Sequence, residues 1–559
     1  MLKIFKQYYP IRNIFFVIGE FLVIYASALA ANCILSGPEI LLGNWKLFFK
    51  IILISGICQT CLYYNDLYDF KITDSFSELS TRLLQALGAS AIILSGIYAV
   101  FPNASMGLKI FVITIVFDIV FIVSWRLLYT LILSRRIFDE KIILLGSGEL
   151  SVNIFREVAD RMDCGYTVAA IFLEGRGESD EKMRRIAQLH REVTVIDGGN
   201  YKNLCNTAKE LEIKRIVVAM EDKRGKFPTK ELLQCRVDGI EVLEGTTFYE
   251  MLTGKLIVDH INPAWLIFSD GFQKSRIKLF VKRSIDLFLS ILMLIFLSPL
   301  FGIIAVLIKT DKKKPEYDFA DVWRYFRKIC AHDNANPADR LRDLMLAELS
   351  GQPEIAQQQT AFREIWQKFR FHCAEKGKTV SCQLTELLKS HIDQKDPADE
   401  SVNPVFFSQE RMGRKGKIYR IHKFRSMIVN AERFSGPAWA CKNDKRITRI
   451  GNFIRKWRID EIPQIWNVLK GEMSFVGPRP ERDYFVRQLE QSIPYFRERL
   501  SVKPGITGWA QVCYGYGASE NDAKEKLNYD LFYIKNMSIP FDLMIVLRTI
   551  KIVIFGKGR

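Results

Sequence analysis

Four apolar stretches open the chain, at about 14–35, 47–64, 83–101 and 108–133. Each approaches the ~20 residues that carry a helix across hydrocarbon. Turn residues stand between them at Gly37-Pro38 and Pro102-Asn103, so the pattern predicts four transmembrane helices over 1–136. From Lys141 the rhythm changes to short apolar runs alternating with helical lengths. KIILLGSGELS (141–151), VAAIF (168–172), VTVID (193–197), RIVVAM (215–220) and IEVLE (240–244) read as strands of a parallel sheet, a Rossmann-like α/β domain over 137–262. A second α/β region, 263–559, opens with another apolar run, SIDLFLSILMLIFLSPLFGIIAVLI (284–308). Its strands and Gly-rich basic turn follow in PVFFSQERMGRKGKIYRIHKFRSM (404–427). The intervening 311–403 contains helical patterns around 338–350, 359–375 and 381–392. Further on, Ile462, Ile465, Trp466 and Leu469 fall at i, i+3, i+4 and i+7, and Phe453 and Trp457 extend that stripe upstream. An aromatic face opposed by Lys and Arg suits the membrane interface.

Charge orients these elements. Lys3, Lys6 and Arg12 precede the first span, Lys71 and Arg82 follow the second, and Arg135, Arg136 and Lys141 follow the fourth. The segments 36–45 and 102–107 carry only Glu39, which predicts that both termini of the four-helix unit are cytoplasmic. A cleaved signal peptide with its site near Ala26–Ala31 is the competing reading, set aside because three further spans follow. Glu20 and Asp118, inside spans, are expected to bond between helices. Cys58 and Cys61 are expected to pack as small hydrophobes rather than as a redox pair. The run at 284–308 has Lys278, Lys282 and Arg283 before it and Lys309 and Lys312–Lys314 after it, so both flanks ask for the cytoplasmic face. Near its middle, Pro299 removes a backbone donor, and the Ser298 hydroxyl can satisfy a freed carbonyl. A re-entrant helix that bends there and returns meets both demands.

Composition narrows the classes. The chain has 559 residues, 49% hydrophobic and 25% charged, with net charge +17, a balance that excludes disordered, collagen-like and disulfide mini-protein classes. The 11 cysteines are odd in number and scattered, which argues against a disulfide framework and for a reducing compartment. From Pro404 to Arg458 stand 15 Lys and Arg against three acids. That basic patch calls for an anionic partner. Because it adjoins the interface helices, the anion is expected to be lipid or phosphate rather than nucleic acid.

Three places carry candidate chemistry. The turn after the first strand of the Rossmann-like domain offers Gly146 and Gly148 to a phosphate, with Glu174 placed to meet a ribose. Ser151 stands at the third glycine position, so a scaffold that binds no dinucleotide is the preferred reading. The insert holds Cys330, His332, His372, Cys373, Cys382 and His391 at spacings that match no zinc finger. The third place is Asp460-Glu461 within the basic stretch. Arg455, Lys456 and Arg458 favour ionised carboxylates there. Two acids among cations suit a magnesium-bound pyrophosphate: arginines for the oxygens, one acid for the metal, the other free to attack phosphorus. Arg479, locked between Pro478 and Pro480, is held at little ordering cost. No P-loop occurs.

These residues carry a resemblance. KRSIDL (282–287), Ser298-Pro299, PVFFSQERMGRKGK (404–417), KFRSM (423–427), DKRITRIGNFIRKWRIDEIPQIWNVLKGEMSFVGPRPE (444–481), KPGITGWAQV (503–512) and YDLFYIKNMSIPFDLMIVLRTIKIVIFGKG (529–558) resemble the bacterial sugar transferases, the polyprenyl-phosphate glycosyl-1-phosphate transferases. The four spans and Rossmann-like domain resemble its large, exopolysaccharide-assembly members. The resemblance implies transfer of a sugar-1-phosphate from a UDP-sugar to undecaprenyl phosphate at the bacterial inner membrane, on its cytoplasmic face, with release of UMP. It implies Asp460 as the nucleophile forming an aspartyl-phosphosugar, Glu461 as the ligand of Mg2+, and Pro478, Arg479 and Pro480 as contacts to the uridine nucleotide. Lys282, Arg283, Arg425, Arg446 and Arg458 are implied as further substrate contacts. The sugar stays open among glucose, galactose and an N-acetylhexosamine, and so does a homo-oligomer. The insert departs from the family, which has a short polar connection there, and it leaves room for an inactive scaffold of a polysaccharide-export complex. A membrane-anchored NAD-dependent sugar-nucleotide dehydratase is the other rival. It lacks a second glycine fingerprint, and its Tyr-x-x-x-Lys spacing falls at Tyr419 and Lys423 in a strand pattern, over ~13 Å apart.

Overall fold

The computed structural model describes residues 2–4, 7–37, 45–68, 76–135, 138–161, 163–175, 177–189, 193–197, 201–220, 227–261, 271–272, 274–311, 319–349, 362–395, 404–429, 431–432, 444, 446–515, 517 and 519–555. The orienting charges Lys6, Lys71, Arg136 and Lys312–Lys314, as well as Pro38 and Glu39, lie outside the described residues. Two compact units divide the chain, Met1–Phe272 with Lys535–Phe541, and Gln273–Ile534 with Asp542–Arg559.

In the first unit, the apolar stretches form helices Ile11–Ser36, Trp45–Tyr64, Phe76–Val100 and Leu108–Ser134. All four are long and apolar enough to cross a membrane. Gly19 lets the first and fourth approach closely, since a Cβ there would meet the Trp125 ring at 2.2 Å. The indole of Trp125 donates to Phe16 O at 3.3 Å, and the Phe16 ring lies 4.2 Å from that of Tyr129. Glu20 pairs with buried Arg126 at 2.7 Å, and Arg126 also donates to Leu67 O at 2.7 Å. The ionisable group inside this helix is therefore held between helices, as low dielectric requires. Cys58 and Cys61 are buried free thiols.

The same unit holds five strands, Glu140–Leu145, Tyr166–Phe172, Thr194–Ile196, Arg215–Val218 and Glu241–Glu244. All pair in parallel, in the spatial order third, second, first, fourth, fifth. That is the doubly wound arrangement, with both faces covered by helices. Ile142 and Leu144 face one apolar cluster, and Ile143 and Leu145 face the other, the period-two alternation of a strand buried on both sides. Cys205 and Cys235, on helices over the second face, are disulfide-bonded with Cα atoms 5.4 Å apart. The other described cysteines are free, so a single bond and no disulfide framework forms among the described residues. Thirty residues separate Cys205 and Cys235 in sequence, and only the packing of their helices on one sheet face brings them together.

The second unit opens with one helix, Arg276–Thr310, that contains Pro299. Proline leaves the carbonyl four residues back, at Ile295, without its usual donor, and the Ser298 hydroxyl supplies one at 2.8 Å. Helical hydrogen bonding carries through the Ser-Pro step without a break in the element. Asp286 and Ser290 are buried near one end, and Ile304 and Ile308 near the other. Between them Ile291, Ile295, Phe296 and Ile303 are exposed.

Four helices of the insert are described, Phe319–His332, Pro337–Leu349, Phe362–Glu375 and Val380–Lys395. The first falls on a segment where no helix was anticipated, although Val322, Phe326, Ile329 and Cys330 carry helical spacing. Among the described residues the core is self-contained: Phe326, Met345, Ile365, Phe369, Leu388 and Ile392 form a cluster made up of insert residues. Cys330 and Cys373 are part of that core. No metal-ligand cluster forms among the described residues.

The C-terminal α/β body is built on an antiparallel hairpin, Phe406–Met412 with Ile418–Phe424, and a parallel pair, Ser474–Val476 with Gly505–Thr507. Lys415 and Gly416, both at positive φ, close the hairpin turn.

Candidate active site

Asp460 and Glu461 do not lie on one regular α-helix. A 3-10 segment, Ile459–Gln464, precedes a short α-helix, Ile465–Lys470. The expected single stripe is therefore split. Ile465 and Val468 turn inward, and Trp466, with Phe453 before it, stays about half exposed. Two features tighten this segment. Arg458 enters it in the left-handed region, at φ 54, a conformation that costs a non-glycine residue about 1 kcal/mol or more. Pro463 sits inside it and removes a donor. Both acids are thereby held nearly buried, at 8% and 6% exposure.

Neighbouring elements supply the cations. Along the strand Ile418–Phe424, Tyr419 and Ile421 face the core, and the next position of that face is Lys423. Its ammonium donates to Glu461 Oε1 at 2.8 Å. Asn467, fully buried, fixes the distance between strand and acids. Its amide donates to Arg420 O at 2.7 Å and its carbonyl accepts from His422 N at 3.0 Å. Arg479 Nη2 donates to the same Glu461 oxygen at 2.8 Å, and Arg458 Nη1 stands 3.6 Å from Oε2. The Pro478–Pro480 stretch is itself pinned: Gly505 N donates to Pro478 O and Arg499 to Arg479 O, both at 2.9 Å. Gly477 allows this approach, since a Cβ there would meet Lys503 O at 2.4 Å. Buried Asp530 holds Arg499 at 2.8 Å. Sequence reasoning missed Asn467, Arg499 and Asp530, whose role depends on tertiary contacts. Lys423 carried a signal, the inward phase of its strand.

The two carboxylates differ in charge state. Burial acts to raise Glu461, but Arg479, Lys423 and Arg458 outweigh it and hold the group well below the usual carboxylate range. Burial and the adjacent Glu461 charge push Asp460 up to about 6, against the pull of Lys423, Arg455 and Arg479. The neighbouring cations favour ionisation of both acids, as expected, but at Asp460 burial and the adjacent charge outweigh them. Its carboxylate forms no hydrogen bond or ion pair with any described residue. The pair thus sets a cation-clamped, ionised Glu461 beside a buried Asp460 of raised pKa, an asymmetry of the kind that collects at functional sites.

The other anticipated contacts stand apart from this pair. Lys282 pairs with Asp542 and donates to Tyr533 at 3.2 Å. Arg283 donates to Val468 O and, at 2.8 Å, to Leu469 O. Asp286, nearby, accepts from Ser474 Oγ at 3.2 Å and Phe475 N at 3.3 Å. Arg425 donates to Ile308 O at 3.2 Å through its side chain and to Val405 O at 2.9 Å through its backbone. Arg446 forks onto Asp444 at 2.6 and 2.9 Å. These residues anchor elements to one another. Lys282, Arg283 and Asp286 fasten the start of the long helix to the α/β body, and Arg425 holds both its end and the return of the insert.

The Gly146 turn of the Rossmann-like domain is filled from within. Ser147 N donates to Glu174 Oε1 at 3.3 Å, and Ser151 Oγ donates to Ala219 O at 3.0 Å. A Cβ on Gly146 would lie 2.5 Å from Ala219 O. The glycine serves strand–helix packing there. Glu174, with Glu149 in the first helical turn, sets negative charge where a phosphate would need the opposite.

The C-terminal region is similar to known proteins. Residues 398–556 match the profile of the bacterial sugar transferase family. The chain is 49% identical over 159 residues to the UDP-N-acetylgalactosamine-undecaprenyl-phosphate N-acetylgalactosaminephosphotransferase of Aeromonas hydrophila, covering 28% of this chain and 37% of that one. It is 44% identical over 151 residues to the UDP-glucose:undecaprenyl-phosphate glucose-1-phosphate transferase of Xanthomonas campestris pv. campestris, covering 27% and 31%. It is 45% identical over 154 residues to the Escherichia coli (strain K12) protein of that name, covering 27% and 32%. The chain spans about a third of the length of these curated relatives.

Proposed function

We propose, from a C-terminal region that belongs to the bacterial sugar transferase family, that this membrane protein transfers a sugar-1-phosphate from a UDP-sugar to polyprenyl phosphate and releases UMP. The single observation that carries the reading is the asymmetry of the acid pair: Glu461 clamped by cations and Asp460 unbonded beside it. Asp460 attacks the phosphorus that bears the sugar. The bond to the UMP oxygen breaks and an aspartyl-phosphosugar forms. The lipid phosphate then displaces the carboxylate. Arg479 and Lys423 face the site where phosphate charge gathers, and Glu461 keeps them aimed.

Magnesium fits this donor set. The Asp460 carboxylate is unbonded, and Glu461 Oε2 has Arg458 only at 3.6 Å. Such oxygens suit a cation that takes one or two carboxylates and the rest of its ligands from substrate phosphates. When bound, the metal neutralises the developing charge on the pyrophosphate.

Both ends of the helix Arg276–Thr310 pack on one α/β body, with exposed apolar side chains between them. That supports a re-entrant course, with the active site on the cytoplasmic face of the inner membrane. Half-exposed Trp466 and Phe453 suit its interface. The self-contained core of the insert, and the meeting of its ends at Arg425, favour an intact enzyme over an inactive scaffold. The test is UMP release by the purified protein in nanodiscs, with magnesium, polyprenyl phosphate and a panel of UDP-sugars. Lipid-dependent release with one donor supports the reading, and no release with any donor sinks it.

A further inference from the structure

One cationic cluster stands outside the acid pair. Gly471 ends the helix Ile465–Lys470 in the left-handed conformation, and the point its Cβ would occupy lies 3.2 Å from Arg283 Nη2 and 3.4 Å from Lys503 Nζ. Two cationic head groups thus approach one glycine. Arg414, whose Nε donates to Ser501 O at 3.2 Å, adds a third positive charge close enough to act on Lys503. Arg283 uses two of its N–H groups on helix-end carbonyls and retains others. Lys503 makes no hydrogen bond and no ion pair with any described residue. Asp286, which accepts from Ser474 and Phe475, acts on Lys503 as an opposing charge, and Lys282 pairs with Asp542. Burial, and then Arg283, push the Lys503 ammonium down, with Arg414 and Lys282 adding to the effect. Asp286 offsets these like charges only in part, and an anion between them would relieve the rest.

The surroundings indicate which anion. Arg283 lies on the long apolar helix with exposed Phe280 and Phe288 on its flanking turns, and half-exposed Trp466 lies one turn before the carbonyls that Arg283 holds. Cations beside an exposed apolar surface fit a headgroup whose tails lie along that surface.

We propose that Arg283, Lys503 and Arg414 form a binding site for the phosphate of an anionic phospholipid headgroup, separate from the acid pair. The site rests on the proposed function only through membrane insertion of the long helix. The experiment uses the full-length protein in nanodiscs of equal phosphatidylglycerol and phosphatidylcholine, with the lipid that remains bound after detergent extraction measured by mass spectrometry. Wild-type protein retains phosphatidylglycerol over phosphatidylcholine. The preference falls about fivefold for each charge removed in Lys503→Gln and in Lys503→Gln with Arg414→Gln. Arg327→Gln with Lys328→Gln, on the exposed face of the insert, leaves it unchanged. Equal retention of both lipids by wild type, or an unchanged preference in the double variant, overturns the site. So does a thermal shift by inorganic phosphate that the double variant abolishes, which marks a free-phosphate site. So does a many-fold rise in the KM for UDP-sugar with lipid preference intact, which assigns the cluster to the substrate. UMP release measured in parallel keeps the two proposals apart, since lipid preference without turnover removes the enzyme reading alone.

Discussion

In the Rossmann-like sheet, buried Glu174 accepts from the Ser147 amide of the glycine turn. In the C-terminal body, buried Glu461 accepts from Lys423 and Arg479 and leaves Asp460 without a partner. Both bodies are α/β, and both set a carboxylate beside a tight turn. The first carboxylate closes its turn by bonding the backbone donor that a phosphate would need. The second gathers cations and frees its neighbour. The difference teaches that a fold and a glycine turn do not make a site. What makes one is polar capacity that the fold leaves unused.

The sharpest way to break this contrast is Asp460→Asn. It keeps the shape of the side chain and removes the nucleophile, so UMP release falls on the order of a thousandfold or more with membrane insertion and thermal stability retained. A near-native rate would falsify the assignment of Asp460. Next is Lys423→Met, which takes one donor from Glu461 and one positive charge from the phosphate region. The expected loss is about a hundredfold in kcat, read in the same assay. A change in KM alone would reassign Lys423 to uniform substrate binding.

The pH profile tests the asymmetry of the pair. Asp460 is raised to about 6, so it is protonated and non-nucleophilic below that pH and ionised above it. The rate therefore rises with pH through about 6, with a limiting tenfold drop per unit on the acid side. A profile flat down to pH 4.5 contradicts the raised group.

Gly146→Ala addresses the other body. Positive φ and the approach to Ala219 O predict destabilisation of roughly 2–3 kcal/mol, measured by thermal melting. UMP release per folded molecule stays unchanged, and a selective loss of turnover would give that turn a part in the chemistry. The smallest effect is expected for Ser298→Ala, which leaves Ile295 O without its hydroxyl donor. It costs about 0.6 kcal/mol, visible as a slight loss of thermal stability in lipid. A large loss of turnover there would show that the Ser-Pro step shapes the active site itself.

Several levels of the structure were already legible in the residues. Continuous apolar runs can be satisfied only as long helices, and the four spans and the helix at 276–310 follow from that. Strands buried on both faces read as short apolar blocks, which placed all five strands of the parallel sheet. The acid pair taken alone reads equally as two acids set for the dipole of a helix N-terminus, and only the ordered motifs around it single it out. The first insert helix also carries a periodic signal, with Val322, Phe326, Ile329 and Cys330 at helical spacing.

What only the tertiary structure decided is which polar groups remain uncommitted, because that depends on partners distant in sequence. Lys282, Arg283, Arg425 and Arg446 look as functional as Lys423 in a string of basic residues. Packing sets Lys282 on Asp542, two Arg283 N–H groups on Val468 and Leu469 carbonyls and Arg425 on Ile308 O, while Arg446 closes locally on Asp444, and it brings Lys423, nearly forty residues from Glu461, onto its carboxylate. The Cys205–Cys235 bond and the Asp530–Arg499 support of Arg479 arise in the same way. Hydrophobic periodicity is local and survives in the sequence. Electrostatic environment is a sum over neighbours, and the fold chooses the neighbours.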